Sequence, residues 1–211
     1  MKALVLLGDV IASRKVTGEI DPLLDKLASI KKEINREFRK DLKAPFKMIK
    51  GKDEFGLVTI RPTFLYSLVG KIAQTLHPFR ARYVVVEGII DVGVASRDVA
   101  AMDGPAFHRA ADIMAELKDS MLPFGLECDR GQVDRLVENQ INLLLSIQAK
   151  WTEKQMAIFR LYQKMENQVE VAGRLGISQP AVSASLRAIG AYEIIIMEDR
   201  LHKAIESLYS R

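Results

Sequence analysis

The chain has 211 residues and a single cysteine, Cys128. One thiol excludes an intrachain disulfide and any zinc site built on several thiolates, so a reducing, cytoplasmic setting is expected. Histidine is nearly as scarce. His77, His108 and His202 lie far apart, which gives a histidine-based metal cluster no local support. No run approaches the roughly 20 apolar residues that a membrane span needs. Residues 1–10 are apolar, but the stretch is short and Asp9 interrupts it. It lacks the basic start and small-residue cleavage pattern of a signal peptide, so no membrane partner is expected. Neither sign of charge dominates: 31 Lys and Arg face 27 Asp and Glu, for a net charge of +4. A mildly basic balance permits nucleic-acid binding without proving it. There is no internal repeat and no low-complexity segment.

Against these absences stands one dense local pattern, QVEVAGRLGISQPAVSASLR, which begins at Gln168 and ends at Arg187. Its spacing predicts a helix-turn-helix over residues 168–189. Ala172 falls where two helices would cross and only a methyl fits. Gly176 falls at the turn, where a positive φ is expected. Leu175, Ile177, Val182 and Leu186 supply the apolar contacts. Ser178 is placed to cap the second helix, and Pro180 sits in its first turn, where a missing N–H costs little. The alternative is an ordinary helical hairpin with a glycine turn.

The rest of the chain divides near residues 123–131. Before that point the order of elements reads β, α, β, β, α, β, α, with one more strand near residues 125–127. A buried strand over residues 3–7 would deliver Asp9 to its end. A helix follows from Asp21-Pro22 to about Arg39, ended by Ala44-Pro45, and strands over 46–50 and 55–60 flank a turn at 51–54. Beyond the boundary every segment has helical periodicity. The expected fold class is α+β. A ferredoxin-like or nucleotide-cyclase-like domain (1–127) precedes an all-α domain (128–211) that carries the helix-turn-helix. The last helix has an apolar face of Tyr192, Ile195, Ile196, Leu201, Ile205 and Leu208. That face suits either a homodimer contact or packing on the helix over residues 133–150.

Four short motifs occur in order along the chain: Gly8-Asp9 with Ser13-Arg14; Asp53-Glu54-Phe55; Asp103-Gly104-Pro105-Ala106-Phe107 with Ala110; and Trp151-Thr152 with Gln155 ahead of the helix-turn-helix. Together they resemble the SatD family over nearly the whole chain. The resemblance implies a DNA-binding or regulatory protein with a cyclase-like front domain. Two departures stand out: Lys52 separates Gly51 from Asp53, and the family's Gly-Ile-Gly strand reads Val86-Glu87-Gly88-Ile89-Ile90.

In a sheet of this type Asp9 and Asp53 would converge, as the paired carboxylates of nucleotide cyclases do. Two hard oxygen ligands could then hold Mg²⁺ and, through it, a nucleotide. Ser13 and Arg14 would contact a phosphate or carboxylate. The plainer reading is a capped loop beside a solvated turn, with Arg14 paired to a carboxylate and the Lys52 ammonium standing where a cation would. Asp103, Gly104 and His108 would close a pocket for a small anionic ligand, since helix N-termini favour anions. Otherwise they form an exposed first turn. In the helical domain the expected DNA-facing residues are Gln168, Ser178, Gln179, Pro180, Ser183, Ala184 and Arg187.

The function expected on these grounds is a DNA-binding regulator whose front domain senses a ligand or mediates assembly. The recognition helix carries little charge, so a homodimer is expected. The alternative is a metal-dependent nucleotide-processing enzyme with an accessory helix-turn-helix. No base-reading or transition-state residues can be assigned for it, so no catalytic residue is named and no cofactor beyond Mg²⁺ is implied.

Overall fold

The computed structural model describes residues 1–11, 20–51 and 53–210. Ser13, Arg14 and Lys52, singled out above, therefore lie outside the described residues. The fold is mixed α+β. Its front half runs β1 (Lys2–Val10), α1 (Ile20–Glu37), β2 (Leu42–Lys50), β3 (Glu54–Thr59), α2 (Leu65–Leu76), β4 (Ala81–Ile89), α3 (Pro105–Asp119) and β5 (Phe124–Glu127). Five helices follow: α4 (Gln132–Gln148), α5 (Glu153–Met165), α6 (Gln168–Leu175), α7 (Gln179–Ala188) and α8 (Ala191–Tyr209).

The strands form one five-stranded sheet in the order β2-β3-β1-β4-β5. The first three neighbour pairs are antiparallel, and β5 is parallel to β4. β1 is central and buried on both faces, which explains its unbroken apolar run. Leu4, Leu6 and Val10 face the layer of α1 and α2, where Leu23, Leu27, Ile30, Ile34, Leu68 and Ile72 meet them. Ala3 and Val5 face α3, with Ala106, Ala110, Ile113 and Leu117. Helix α3 lies close to the sheet because two strand positions carry no side chain. A Cβ on Gly88 would stand 3.1 Å from that of Ala106, and one on Gly125 would stand 2.5 Å from Ile113 Cγ2.

One expectation changes. Pro45 does not end the first helix; it lies inside β2, which starts at Leu42. This is tolerated because β2 is an edge strand and its pairing with β3 is irregular around Ala44 and Lys47. The apolar stretch over residues 82–94 forms a single strand, β4, that ends at Ile89 and is followed by an isolated bridge between Val92 and Asp103.

The opposite edge, β5, is covered by α4 through a polar stripe with a spacing of four residues. Asn142 bonds both the N–H and the C=O of Phe124, at 3.0 and 2.9 Å. Glu138 accepts the Leu126 N–H at 2.9 Å, and Asp134 accepts the Cys128 N–H at 2.8 Å. Alternate residues of an edge strand present their backbone groups outward, and these side chains satisfy them. The helical half thus closes the sheet, and one contiguous apolar core runs from β1 through α1 and α2 to α4, α5, α7 and α8.

The junction is also pinned by buried polar contacts. Glu198 of α8 accepts from Tyr66 Oη at 2.6 Å, Gln148 Nε2 at 2.7 Å and Gln163 Nε2 at 2.7 Å. Burial raises the Glu198 carboxyl above its ordinary range, and the three donors hold it down in part. His77, at the end of α2, bonds the Trp151 carbonyl at 2.9 Å. Among the described residues no single helix is long and apolar enough to cross a membrane.

Candidate functional site

The α6–α7 pair is built by local chemistry. Asn167 opens α6 by accepting the N–H groups of Val169 and Glu170 at 2.9 and 3.2 Å. Val171 and Ala172 are buried, while Glu170 and Gly173 face out. Gly176 ends the helix at φ 65°, with its preceding carbonyls closed by the C-terminal turn. Nothing lies within 4 Å of where its Cβ would be, so the glycine is required by backbone geometry and not by crowding. Ser178 then caps α7 through the Ala181 N–H at 3.4 Å, with Pro180 in the first turn. Val182 and Leu186 are fully buried against the core.

Burying Val182 and Leu186 turns the other side of α7 outward. Ser178, Gln179, Pro180, Ala184 and Arg187 are exposed, and Ser183 is half-buried. Gln168 is half-buried because its amide is engaged on both sides. Its Nε2 donates to Tyr192 Oη at 2.7 Å, and its Oε1 accepts from Gln179 Nε2 at 2.6 Å. Tyr192 is a participant that the sequence reading placed only on the apolar face of the last helix. No local signal marks it, since it lies 24 residues from Gln168.

Most of the apolar face of α8 is spent inside the chain. Ile194, Leu201 and Ile205 are buried, while Ile196 and Leu208 remain exposed. The two exposed residues are twelve apart, which puts them about 120° from each other around a helix of 3.6 residues per turn. They do not form one stripe.

In the front half the antiparallel register decides which carboxylates meet. Asp9 stands opposite Glu54, and the Val10 N–H bonds the Asp53 carbonyl at 3.0 Å. Side chains directly opposite share a face. Asp9 and Glu54 therefore share the α3 face and line one cleft, while Asp53 is one position out of step with Asp9. Two cations stand at Asp9: Lys118 Nζ at 3.6 Å and Arg82 Nη1 at 3.8 Å. The cleft, about 300 Å³, is otherwise apolar, with Ile49, Met102, Phe107 and Met114 in its walls. Among the described residues no group of three or more His, Cys, Asp or Glu side chains is arranged to hold a metal ion.

Asp103, Gly104 and His108 lie at the other end of α3 from Lys118, which is roughly 20 Å at 1.5 Å per residue. Asp103 Oδ1 accepts the Gly104 N–H at 2.8 Å and stands 3.2 Å from His108 Nε2. Gly104 has φ 139°, and a Cβ there would lie 2.6 Å from Asp91 Oδ1. These residues order the start of α3 against the Asp91 and Ile89 backbone. The structure does not bring them to the cleft of Asp9.

Packing also accounts for much of the motif set. The Phe55 ring occupies the space where a Cβ on Gly8 would stand, 2.1 Å from its Cζ. Thr152 and Gln155 form a reciprocal capping box at the start of α5. Trp151 is buried edge-on to Phe159 at 4.8 Å. A second cleft, about 730 Å³, opens between the two halves, with Tyr66, Lys71, Arg160, Tyr162, Tyr192 and Glu198 among its walls. A search among curated proteins finds no match. The SatD family model matches residues 3–202, and the chain belongs to the SatD family.

Proposed function

We propose that this SatD family protein binds DNA and acts as a transcriptional regulator, with α6 and α7 as a helix-turn-helix. The observation that carries the reading is the outward face of α7, where Gln179, Ala184 and Arg187 are exposed while Val182 and Leu186 are locked inside. A helix held by its inner face at its start, with an amide and a guanidinium outside, suits the major groove. Gln179 would pair with adenine, Ala184 would meet a thymine methyl, and Arg187 would take guanine or phosphate. Ser178, Pro180, Ser183 and Gln168 would lie along the backbone. The low charge of α7 makes a homodimer the natural DNA-binding form.

The front half is read as a ferredoxin-like, nucleotide-cyclase-like unit that senses a ligand or mediates assembly. Its strand order and antiparallel pairing support this. The alternative, metal-dependent nucleotide processing, is less favoured. Lys118 and Arg82 already supply positive charge at Asp9, the place where a metal ion would otherwise be needed.

Electrophoretic retardation tests the DNA reading, with the wild type and double-stranded fragments at moderate salt. Gln179→Ala and Arg187→Ala should each weaken selective binding by about 1–3 kcal/mol if they read bases. Absence of any sequence-selective retardation by the wild type would refute the reading.

A further inference from the structure

The first residue of the proposed recognition helix does not stand alone. Gln179 Nε2 donates to Gln168 Oε1 at 2.6 Å, and Gln168 Nε2 donates to Tyr192 Oη at 2.7 Å. Three side chains from three helices, α7, α6 and α8, thus form one chain of hydrogen bonds. The tyrosine end is packed against a second ring. Its ring meets Tyr162 edge to face, with centroids 5.8 Å apart and planes at 87°. It also stands on α8 next to Ala191, which is fully buried. The glutamine end is exposed.

From this geometry we infer that Tyr192 is the positioning residue that sets base preference at Gln179, a proposal that rests on the DNA-binding reading above. A free glutamine amide can turn about its last torsion and present either its carbonyl or its NH₂ group to a base. Gln179 uses one N–H inward, on Gln168. Its second N–H and its Oε1 remain for the outside. One donor beside one acceptor is the pattern that matches N7 and the N6 amino group of adenine. Gln168 can hold Gln179 in that orientation only while its own carbonyl points toward α7. The structure has that orientation, with the Tyr192 hydroxyl accepting from the Gln168 NH₂ group on the other side. Without the hydroxyl, Gln168 keeps its packing and loses its anchor, and the Gln179 amide is released to turn. The selectivity of α7 is then governed from α8, outside the helix pair itself.

The test compares wild type, Tyr192→Phe, Gln168→Ala and Gln179→Ala in full-length protein. Each is used to select binding sequences from a random double-stranded DNA library. Side-chain amide NMR signals of Gln168 and Gln179 are recorded without DNA. The wild type should enrich adenine at one position that Gln179→Ala no longer discriminates. Tyr192→Phe should lower that adenine preference at least 5-fold at the same position. Its thermal midpoint and its affinity for non-selected DNA should stay at wild-type values, because only one hydroxyl is removed. The Gln168 and Gln179 amide signals should shift together in Tyr192→Phe. Unmoved amide signals would overturn the relay whatever the DNA result. Shifted amides with an unchanged adenine preference would overturn the control of selectivity while leaving DNA binding intact. Shifted amides in a protein that enriches no sequence at all would overturn the DNA-binding reading and the control of selectivity with it.

Discussion

Replacing Glu198 separates two roles that its carboxyl group plays at the junction of the halves. Glu198 accepts hydrogen bonds from Tyr66, Gln148 and Gln163, which belong to α2, α4 and α5. Tyr66 and Gln148 are 6% and 3% exposed, so water cannot readily replace a lost acceptor there. In Glu198→Ala two fully buried donors lose their partner, at about 1–3 kcal/mol each, with some relief from water entering the new space. The expected loss is about 2–5 kcal/mol, read as a lower midpoint in guanidinium unfolding at pH 7. Glu198→Gln keeps the shape, and Gln163 can turn its amide to meet the new NH₂ group. It also removes a carboxyl whose burial raises it above the ordinary 4.5. A raised carboxyl binds protons more readily in the folded state, so wild-type stability gains as the pH falls through the folded value toward 4.5. The amide cannot gain in this way. The stability of Glu198→Gln relative to wild type should therefore be highest at pH 7 and decline steadily toward pH 4.5. A difference that is flat over that interval, or a Glu198→Ala loss below about 0.5 kcal/mol, would refute the reasoning.

Three further outcomes follow from named contacts. His77 is buried and held neutral below its ordinary value of 6.5, so the unfolded chain binds the extra proton. Stability should fall as the pH drops through 6.5, and His77→Gln, which keeps a donor for the Trp151 carbonyl, should flatten that part of the curve in urea unfolding. Gly176→Val should cost about 1–3 kcal/mol from the backbone alone, because no neighbour crowds the site. Gly176→Asn should restore most of that loss in thermal melts. Gly8→Ala places a methyl against the Phe55 ring at contacts of 2.1 to 2.8 Å. The expected cost is about 1–3 kcal/mol. Calorimetry of Gly8→Ala with Phe55→Leu should show partial recovery if the ring is the obstacle.

How much of this was legible in the sequence depends on how far apart the partners lie. The α6–α7 pair was readable because each of its determinants is local. Ala172, Gly176, Ser178 and Pro180 set cap, turn and crossing within nine residues, and the turn at Gly176 has the positive φ that the spacing predicts. The order of strands and helices in the front half was equally readable from apolar periodicity. The register of β1 against β3 was not. A strand repeats every two residues, so a shift of one moves a side chain to the opposite face. That single step is why Glu54, and not Asp53, stands opposite Asp9. The Tyr66–Glu198 contact spans 132 residues, and nothing in either segment announces it.

Helix α4 shows the same limit in a different form. Asp134, Glu138 and Asn142 are polar residues at a spacing of four, yet Asp134 and Asn142 are buried and all three serve the β5 edge. A polar stripe and a strand edge need the same thing, a partner for each unpaired group, and only the fold shows that they meet. This bears on the motifs as well. Gly8, Phe55, Gly104, Ala106 and Thr152 each have a packing or capping duty, so their joint presence speaks first for the fold. Asp9 is different. Its carboxylate stands at the end of a central strand, 14% exposed in its side chain, and packs no apolar neighbour of the core. It sits at the mouth of an apolar cleft with Glu54 beside it and two cations at 3.6 and 3.8 Å. Its two ion pairs reach β4 through Arg82 and α3 through Lys118, so its charge is met by the two elements that flank the cleft.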